Sequence, residues 1–257
     1  MSESRIASYI GIARGQLPPV HYFTKWRTFP AGCDWSWQEQ QPVGTTRTYL
    51  GVDVFEALMP DVFVPEARWP PRSWGLNHPL TVRAHREHGL DHAQYGYWGF
   101  SPSSDPAVAD GYREFGVDAL GLNPDGYFSD EEKTNYDAGF GTCRPATAPN
   151  PTYRDGVVTP HASFLAMQHE PRQAYDNLVK IEDELGAYGD GGFFDAVAVR
   201  SGKISERYLS LDQAMILGAI GNVFGGDIVR QAFCGGAIRR RIRPLIAMEQ
   251  FSAGIVR

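Results

Sequence analysis

The stretch PRQAYDNLVKIEDELG, residues 171–186, decides the fold class. Ala174, Leu178, Ile181 and Leu185 recur at three- and four-residue spacing, a stripe that only a helix gathers on one face. Pro171 suits the first helical position, where its missing N–H costs nothing, and Gly186 suits the end. The same period recurs outward in both directions. Ser4 to Arg14 sets Ile6, Ile10 and Ala13 on one face and stops at Gly15 and Pro18-Pro19. Val52 to about Val62 reads as a second helix, with Pro60 marking a kink or stop. Asn77-His78-Pro79 starts a third that runs to Gly89, and a short one covers Ala107 to Phe115. Thr159-Pro160 reads as an N-cap followed by proline at the first turn of a helix through Phe164-Leu165-Ala166-Met167. Leu211 to Phe224 is apolar nearly all round and is expected to be the most buried helix. A last one covers Ala237 to Ile246. No run of alternating strands and no repeat of fixed period appears. The expectation is an all-α protein of about seven or eight helices joined by long Gly/Pro/aromatic loops. The segment from Asn123 to Val157 is a polar, turn-rich excursion with Asp130-Glu131-Glu132-Lys133 exposed.

Composition narrows the function classes. With 257 residues and 42% hydrophobic content the chain is long enough for one good-sized core. The net charge of −6 comes without charged blocks, so electrostatics does not point to nucleic acid. The run Arg239-Arg240-Arg241-Ile242-Arg243 is read as a solvated helix end. Cys33, Cys143 and Cys234 are too scattered for a disulfide framework or a zinc site. No stretch is long and apolar enough to cross a bilayer, and Met1-Ser2-Glu3-Ser4 does not begin a secretory signal. The chain therefore reads as soluble, with neither membrane nor nucleic acid expected as a partner and without a visible export address.

The residues that could carry chemistry are carboxylates beside glycine-aromatic loops. Glu56 sits in VFEALMP among Phe55, Leu58 and Met59, where apolar neighbours disfavour its charge as a general acid requires. A glutamate on a solvated helix face is the competing reading. Asp53 and Asp61 are taken as the solvent-facing acids of that element. Tyr95, Tyr97 and Trp98 offer rings for a sugar platform, and Gly96 and Gly99 allow close approach of a ligand. Asp105 reads as a cap or a sugar contact. In YGDGGFFDA, Asp190 is turn chemistry, whereas Asp195 is flanked by apolar groups and is harder to explain that way. Asp212, next to Gln213, caps its helix or holds a substrate hydroxyl, with capping favoured. His78, His85, His88 and His92 are read as solvated helix histidines. There is no HExxH, clustered Cys/His, P-loop, GxGxxG or GxSxG, so neither a metal nor a cofactor is expected.

At this point the motifs resemble a known family. SRIASYIGIARG (residues 4–15), followed by His21-Tyr22-Phe23 and Arg27, is similar to the "SEARIASFLAIAKGDVP…HWF…R" segment of glycoamylase-like proteins. These include bacterial endo-β-1,2-glucanases and a region of cyclic β-1,2-glucan synthases. Phe55 to Pro60 resembles their "MFEYLMP", and Tyr97-Trp98-Gly99-Phe100-Ser101 their "WGIS" or "WGLS". Tyr112 to Gly116 with Leu120-Gly121-Leu122 is similar to "YxxFGVPxLGL". Val158 to Ala162 resembles "VAPYA", Gly192 to Ala196 "YGFYDA", and Tyr208 to Gln213 "YLGIDQG".

The resemblance implies a single glycoamylase-like domain over 1–257, with its core at about 2–233 and a C-terminal helix at 237–257. It implies an (α/α)6 toroid of the six-hairpin glycosidase type, of which this chain supplies about the C-terminal half to two-thirds. A second chain or a preceding half would complete it. The activity implied is inverting hydrolysis of a bacterial or environmental polysaccharide, most often a β-1,2-glucan, with Glu56 as general acid; the second acid, which activates water, is Asp195 or one on a segment outside this chain. Tyr97, Trp98, Ser101, Asp105, Tyr112, Phe194, Asp212 and Gln213 would contact the sugar. The alternative is a non-catalytic carbohydrate-binding paralogue or a C-terminal fragment of a larger glycosidase. The family's glutamate in "MIENY" is Gly221 here, and the loop after Trp98 reads Ser-Pro-Ser-Ser-Asp rather than "SESAY". Family members are often exported, which leaves the compartment open.

Overall fold

A computed structural model describes residues 4–23, 54–117, 125–128 and 153–249. In these the chain is predominantly helical. The helices are α1 (Arg5–Ala13), α2 (Val20–Phe23), α3 (Val54–Phe63), α4 (Trp74–Glu87), α5 (Pro160–Ala166), α6 (Pro171–Leu185), α7 (Ser210–Phe224), α8 (Ile228–Phe233) and α9 (Gly236–Ala247). A π-helical turn, His88–His92, extends α4. Asp53, Cys33, Cys143 and residues 130–133 lie outside the described residues, so the expectations placed on them go untested.

The packing centres on α5, a seven-residue helix every residue of which is buried. It lies against α3, α6 and α7, while α3 also touches α4 and α8, and α1 packs on α9. The larger apolar cluster joins Val54, Leu58, Val82, Leu165, Leu178 and Ile181. A second cluster joins Tyr9, Ile12 and Tyr22 to Ile242 and Ile246. No helix among the described residues is long and apolar enough to cross a membrane.

Helix α6 behaves as its stripe predicts, burying Ala174, Leu178 and Ile181, and Gly186 ends it in the left-handed region at φ 66°. Its buried face also holds Asn177, which hydrogen-bonds both ways with the Trp98 backbone and donates to Ser163 Oγ at 2.9 Å.

Several expectations are corrected. Residues 107–115 do not form a helix. Asp105 takes the Ala107 N–H at 2.8 Å, Asp110 turns back at φ 58°, and Tyr112–Glu114 becomes strand β2. β2 pairs antiparallel with β1 (Ser103–Ser104) and β3 (Tyr127–Phe128). The stripe on α1 is rotated from the predicted Ile6 and Ile10: Arg5, Ser8, Tyr9 and Ile12 face inward, because Arg5 is drawn in by Glu66. Helix α4 starts at Trp74 rather than Asn77, and Pro79 lies inside it. Asp61 is buried rather than solvent-facing, and so are His78, His85 and His88. Helix α7 is far from the most buried. It hides Met215, Gly218 and Ala219 but exposes Leu211 (52%), Leu217 (71%) and Phe224 (74%).

The buried histidines have a pH consequence. Burial, aided by the neighbouring His88, pushes the His85 imidazole down to about 3. A folded value below the unfolded one means the unfolded chain takes up protons first as pH falls. Stability is therefore full above the unfolded value near 6.5 and is lost from there down toward about 3. His85 alone is expected to cost about 3 kcal/mol by pH 4.5. Denaturant titrations at pH 7 and 4.5 should show that loss, reduced in His85→Gln. An identical pH slope in the variant would remove His85 from the account.

Candidate active site

Three segments far apart in sequence bring their polar side chains to one buried point. The first is the opening of α5, where Thr159 is extended and Pro160 occupies the first turn, which fixes His161 just inside the helix. The second is the link after a tight hairpin, β5 (Tyr188–Gly189) and β6 (Gly192–Phe193), that leads into β7 (Ala196–Ala198). Asp195 sits in this link, held by its own N–H on the Arg207 carbonyl at 2.9 Å. β7 is the middle strand of a small sheet between β4 (Val157–Val158) and β8 (Ile204–Ser205), which ties the link to the chain entering α5. The third is the first turn of α7, which carries Asp212.

One donor atom each from His161, Asp195 and Asp212 lies within 4.8 Å of the other two. His161 Nδ1 stands 3.6 Å from Asp212 Oδ1, too long for a hydrogen bond. Exposures are 2%, 2% and 4% respectively. The Ser104 backbone N–H donates to Asp195 Oδ2 at 2.7 Å. Burial, then the hydrogen bond and charge of Asp195, push the Asp212 carboxyl up to about 9. Two acids so close cannot both ionise in a dry place, so a proton stays on the pair at neutral pH. Burial pushes His161 down to about 4 against the opposing charge of Asp195, which keeps the imidazole neutral.

Of the residues expected to do chemistry, Asp195 and Asp212 are therefore together. Asp212 does not cap α7, since no side-chain cap bond is formed there and its carboxyl turns to Asp195. Glu56 is outside this cluster. It is half-buried in the first turn of α3, whose backbone is anchored by Arg5: Nη2 donates to the Ala57 carbonyl at 2.9 Å and Nη1 to that of Glu56 at 3.4 Å.

The aromatic platform is corrected. Tyr95, Tyr97 and Trp98 are core residues at 7%, 8% and 2% exposure, not an open surface for a sugar ring. Their loop is folded under α6, clamped by Asn177 on Trp98, by Lys180 Nζ on the Gly96 carbonyl, and by the Tyr97 hydroxyl on Glu184. Gly99, at φ 99° and with Ala162 Cβ 3.1 Å from where its own Cβ would sit, lets that loop press onto α5. Ser101 is fully buried, and Asp105 is tied to Arg113 at 2.7 Å and to the turn that it caps. Gln213 donates to the Phe193 carbonyl and so braces the hairpin. Tyr112, 40% exposed, and Phe194, half-buried against Tyr208, keep open ring surface.

His161 was missed by sequence reasoning. It falls inside the Val158–Ala162 motif with no role of its own, because its partners lie on two other segments and no local spacing announces them.

With fold and cluster in view, comparison with known proteins gives the class. Residues 2–234 match the Glycoamylase family, described as "Putative glucoamylase", and the chain belongs to that family. It is 27% identical over 249 residues to the cyclic beta-(1,2)-glucan synthase NdvB of Rhizobium meliloti (strain 1021), covering 90% of this chain and 7% of the synthase. Its fold is similar to a beta-1,2-glucanase from Parabacteroides distasonis, with TM-score 0.63 and 15% identity over 96% of this chain and 34% of that one. It also resembles an endo-beta-1,2-glucanase from Chitinophaga pinensis, solved with sophorotriose and glucose, with TM-score 0.52 and 17% identity over 75% and 40% of the two chains. The chain thus spans well under half of each of these proteins.

Proposed function

We propose that this chain acts on a β-1,2-linked glucan as a glycoside hydrolase with inversion, as part of an (α/α)6 toroid. The observation that carries this reading is the family match over residues 2–234. The synthase relative and the two glucanases with the same fold support the linkage. Glu56 is the general acid and Asp195 the base that activates water. Inverting pairs stand about 6.5–9.5 Å apart to admit that water. Asp195 and Asp212, which offer ligand atoms within 4.8 Å of one another, are too close to be such a pair, which favours an acid from another element. Asp212, raised to about 9 by burial and by Asp195, keeps its own proton at neutral pH. Tyr112 and Phe194, with exposed ring surface, are the sugar contacts this reading retains.

A single glycoamylase-like domain over 1–257 is part of the same proposal, with other helices completing the ring from a further segment or a second chain. The apolar side chains left exposed on α7 and α8, Leu217, Phe224 and Ile228, support that completion. The span of well under half of each glucanase favours a second reading, a carbohydrate-binding piece without turnover. Incubating the purified chain with β-1,2-glucan, other β-glucans, α-glucans and arabinans separates the two. Release of oligosaccharides from β-1,2-glucan is expected. Binding of that glucan without any release would leave only the second reading.

A further inference from the structure

We propose that His161, Asp195 and Asp212 form a binding site for one first-row divalent cation, of the Zn²⁺ or Mn²⁺ kind. Sequence reasoning expected no metal, because no two of these residues lie at ligand spacing. The fold supplies what the spacing lacks.

The chemistry of the donors comes first. One imidazole and two carboxylates are a nitrogen/oxygen set suited to ions of intermediate hardness, and three protein ligands leave further positions for water. Ligand atoms about 2.0–2.2 Å from a shared ion stand no more than about 4.4 Å apart. The 4.8 Å limit on the present separations therefore asks for shifts of only a few tenths of an ångström, and His161 Nδ1 to Asp212 Oδ1 at 3.6 Å asks for none.

The second observation is independent of distance. Both ring nitrogens of His161, Asp195 Oδ1 and Asp212 Oδ2 are buried without a hydrogen-bond donor or acceptor among the described residues. Buried polar atoms are seldom left so. A proton shared between the carboxyls answers one oxygen of each and leaves the imidazole alone. One cation answers all three groups.

The surroundings are arranged as a metal site requires. The Ser104 N–H holds Asp195 Oδ2, which leaves Oδ1 directed at the cluster, in the manner of the outer hydrogen bonds that orient metal ligands. No Lys or Arg is paired with Asp195 or Asp212 among the described residues, so their negative charge has no other counter-ion there. An ion at this point would pin the start of α5, the β6–β7 link and the start of α7 to one another. Binding to the folded chain alone then raises stability by mass action. The site is independent of hydrolysis, since an ion on Asp195 Oδ1 takes up the oxygen that the base role would use.

The test is a calorimetric titration of the full chain, stripped with chelator, using ZnCl₂ and separately MnCl₂, without any sugar. Saturable one-to-one binding of at least one ion is expected, with a rise in Tm of several degrees that chelator reverses. Asp212→Asn and His161→Gln should each weaken that binding at least tenfold. Asp212→Asn keeps the size and shape of the side chain and adds no charge to a buried place, so its melting curve in chelator should stay within a few degrees of wild type. Loss of binding in that variant is then not loss of fold. Absence of saturable binding for both ions up to millimolar concentration would overturn the proposal. So would binding that is unchanged in both variants, which would put the ion elsewhere on the chain.

Discussion

Glu56→Gln is expected to lower release of oligosaccharides from β-1,2-glucan by about 10²- to 10⁴-fold, the usual worth of a positioned proton donor. Glutamine keeps the shape of the side chain and loses only the proton. Glu56 is half-buried in the first turn of α3, and glutamine fills the same volume there, so the fold should hold. Substrate binding should survive as well, and the loss should fall on kcat rather than KM. A parallel fall in thermal stability would point to a structural role instead. Turnover within a factor of two of wild type would take Glu56 out of the mechanism.

Arg5→Met is expected to cost about 3–5 kcal/mol of stability, because breaking a buried ion pair strands the charge of its partner. Arg5 and Glu66 are both fully buried and joined by two hydrogen bonds of 2.9 and 2.8 Å. Glu66 also holds His78 at 3.1 Å and the Tyr9 hydroxyl, and Arg5 lies 3.7 Å over the Trp74 ring. Burial alone would raise the Glu66 carboxyl, but the Arg5 charge and the His78 hydrogen bond hold it below the usual range. With Arg5 gone that carboxylate has no full counter-charge. The double variant Arg5→Met/Glu66→Leu should recover part of the loss, since removing both charges removes the stranded one. Because the same guanidinium holds the backbone carbonyls of Glu56 and Ala57, the single variant should also lose activity. An unfolding free energy within about 1 kcal/mol of wild type in denaturant titrations would contradict the reading.

The helices were legible where local pattern decides them. Pro171 and Gly186 bracket α6 as expected, and Ala174, Leu178 and Ile181 face the core because spacing alone puts them there. The failures are long-range. Arg5 turns inward for Glu66 across the fold, and no window around α1 contains that partner. Residues 107–115 have helical composition, yet Asp105 and Arg113 close a turn that strand pairing completes. Trp98 looked like a surface ring because glycines flank it. Those glycines serve the packing of its own loop against α5 and α6. In the cluster, Asp195 was noticed because apolar neighbours left it without a local purpose, and Asp212 was mistaken for a cap because helix starts favour acids. His161 carried no signal at all, since only the meeting of α5, α7 and the hairpin gives it neighbours.

The most direct measurement is ¹H NMR of a β-1,2-glucan digest by the purified chain, followed from the first minutes before mutarotation scrambles the reducing ends. An acid on α3 and Asp195 activating water from the opposite side predict that the first products carry the α-anomer. Products appearing as the β-anomer would show retention and contradict that arrangement.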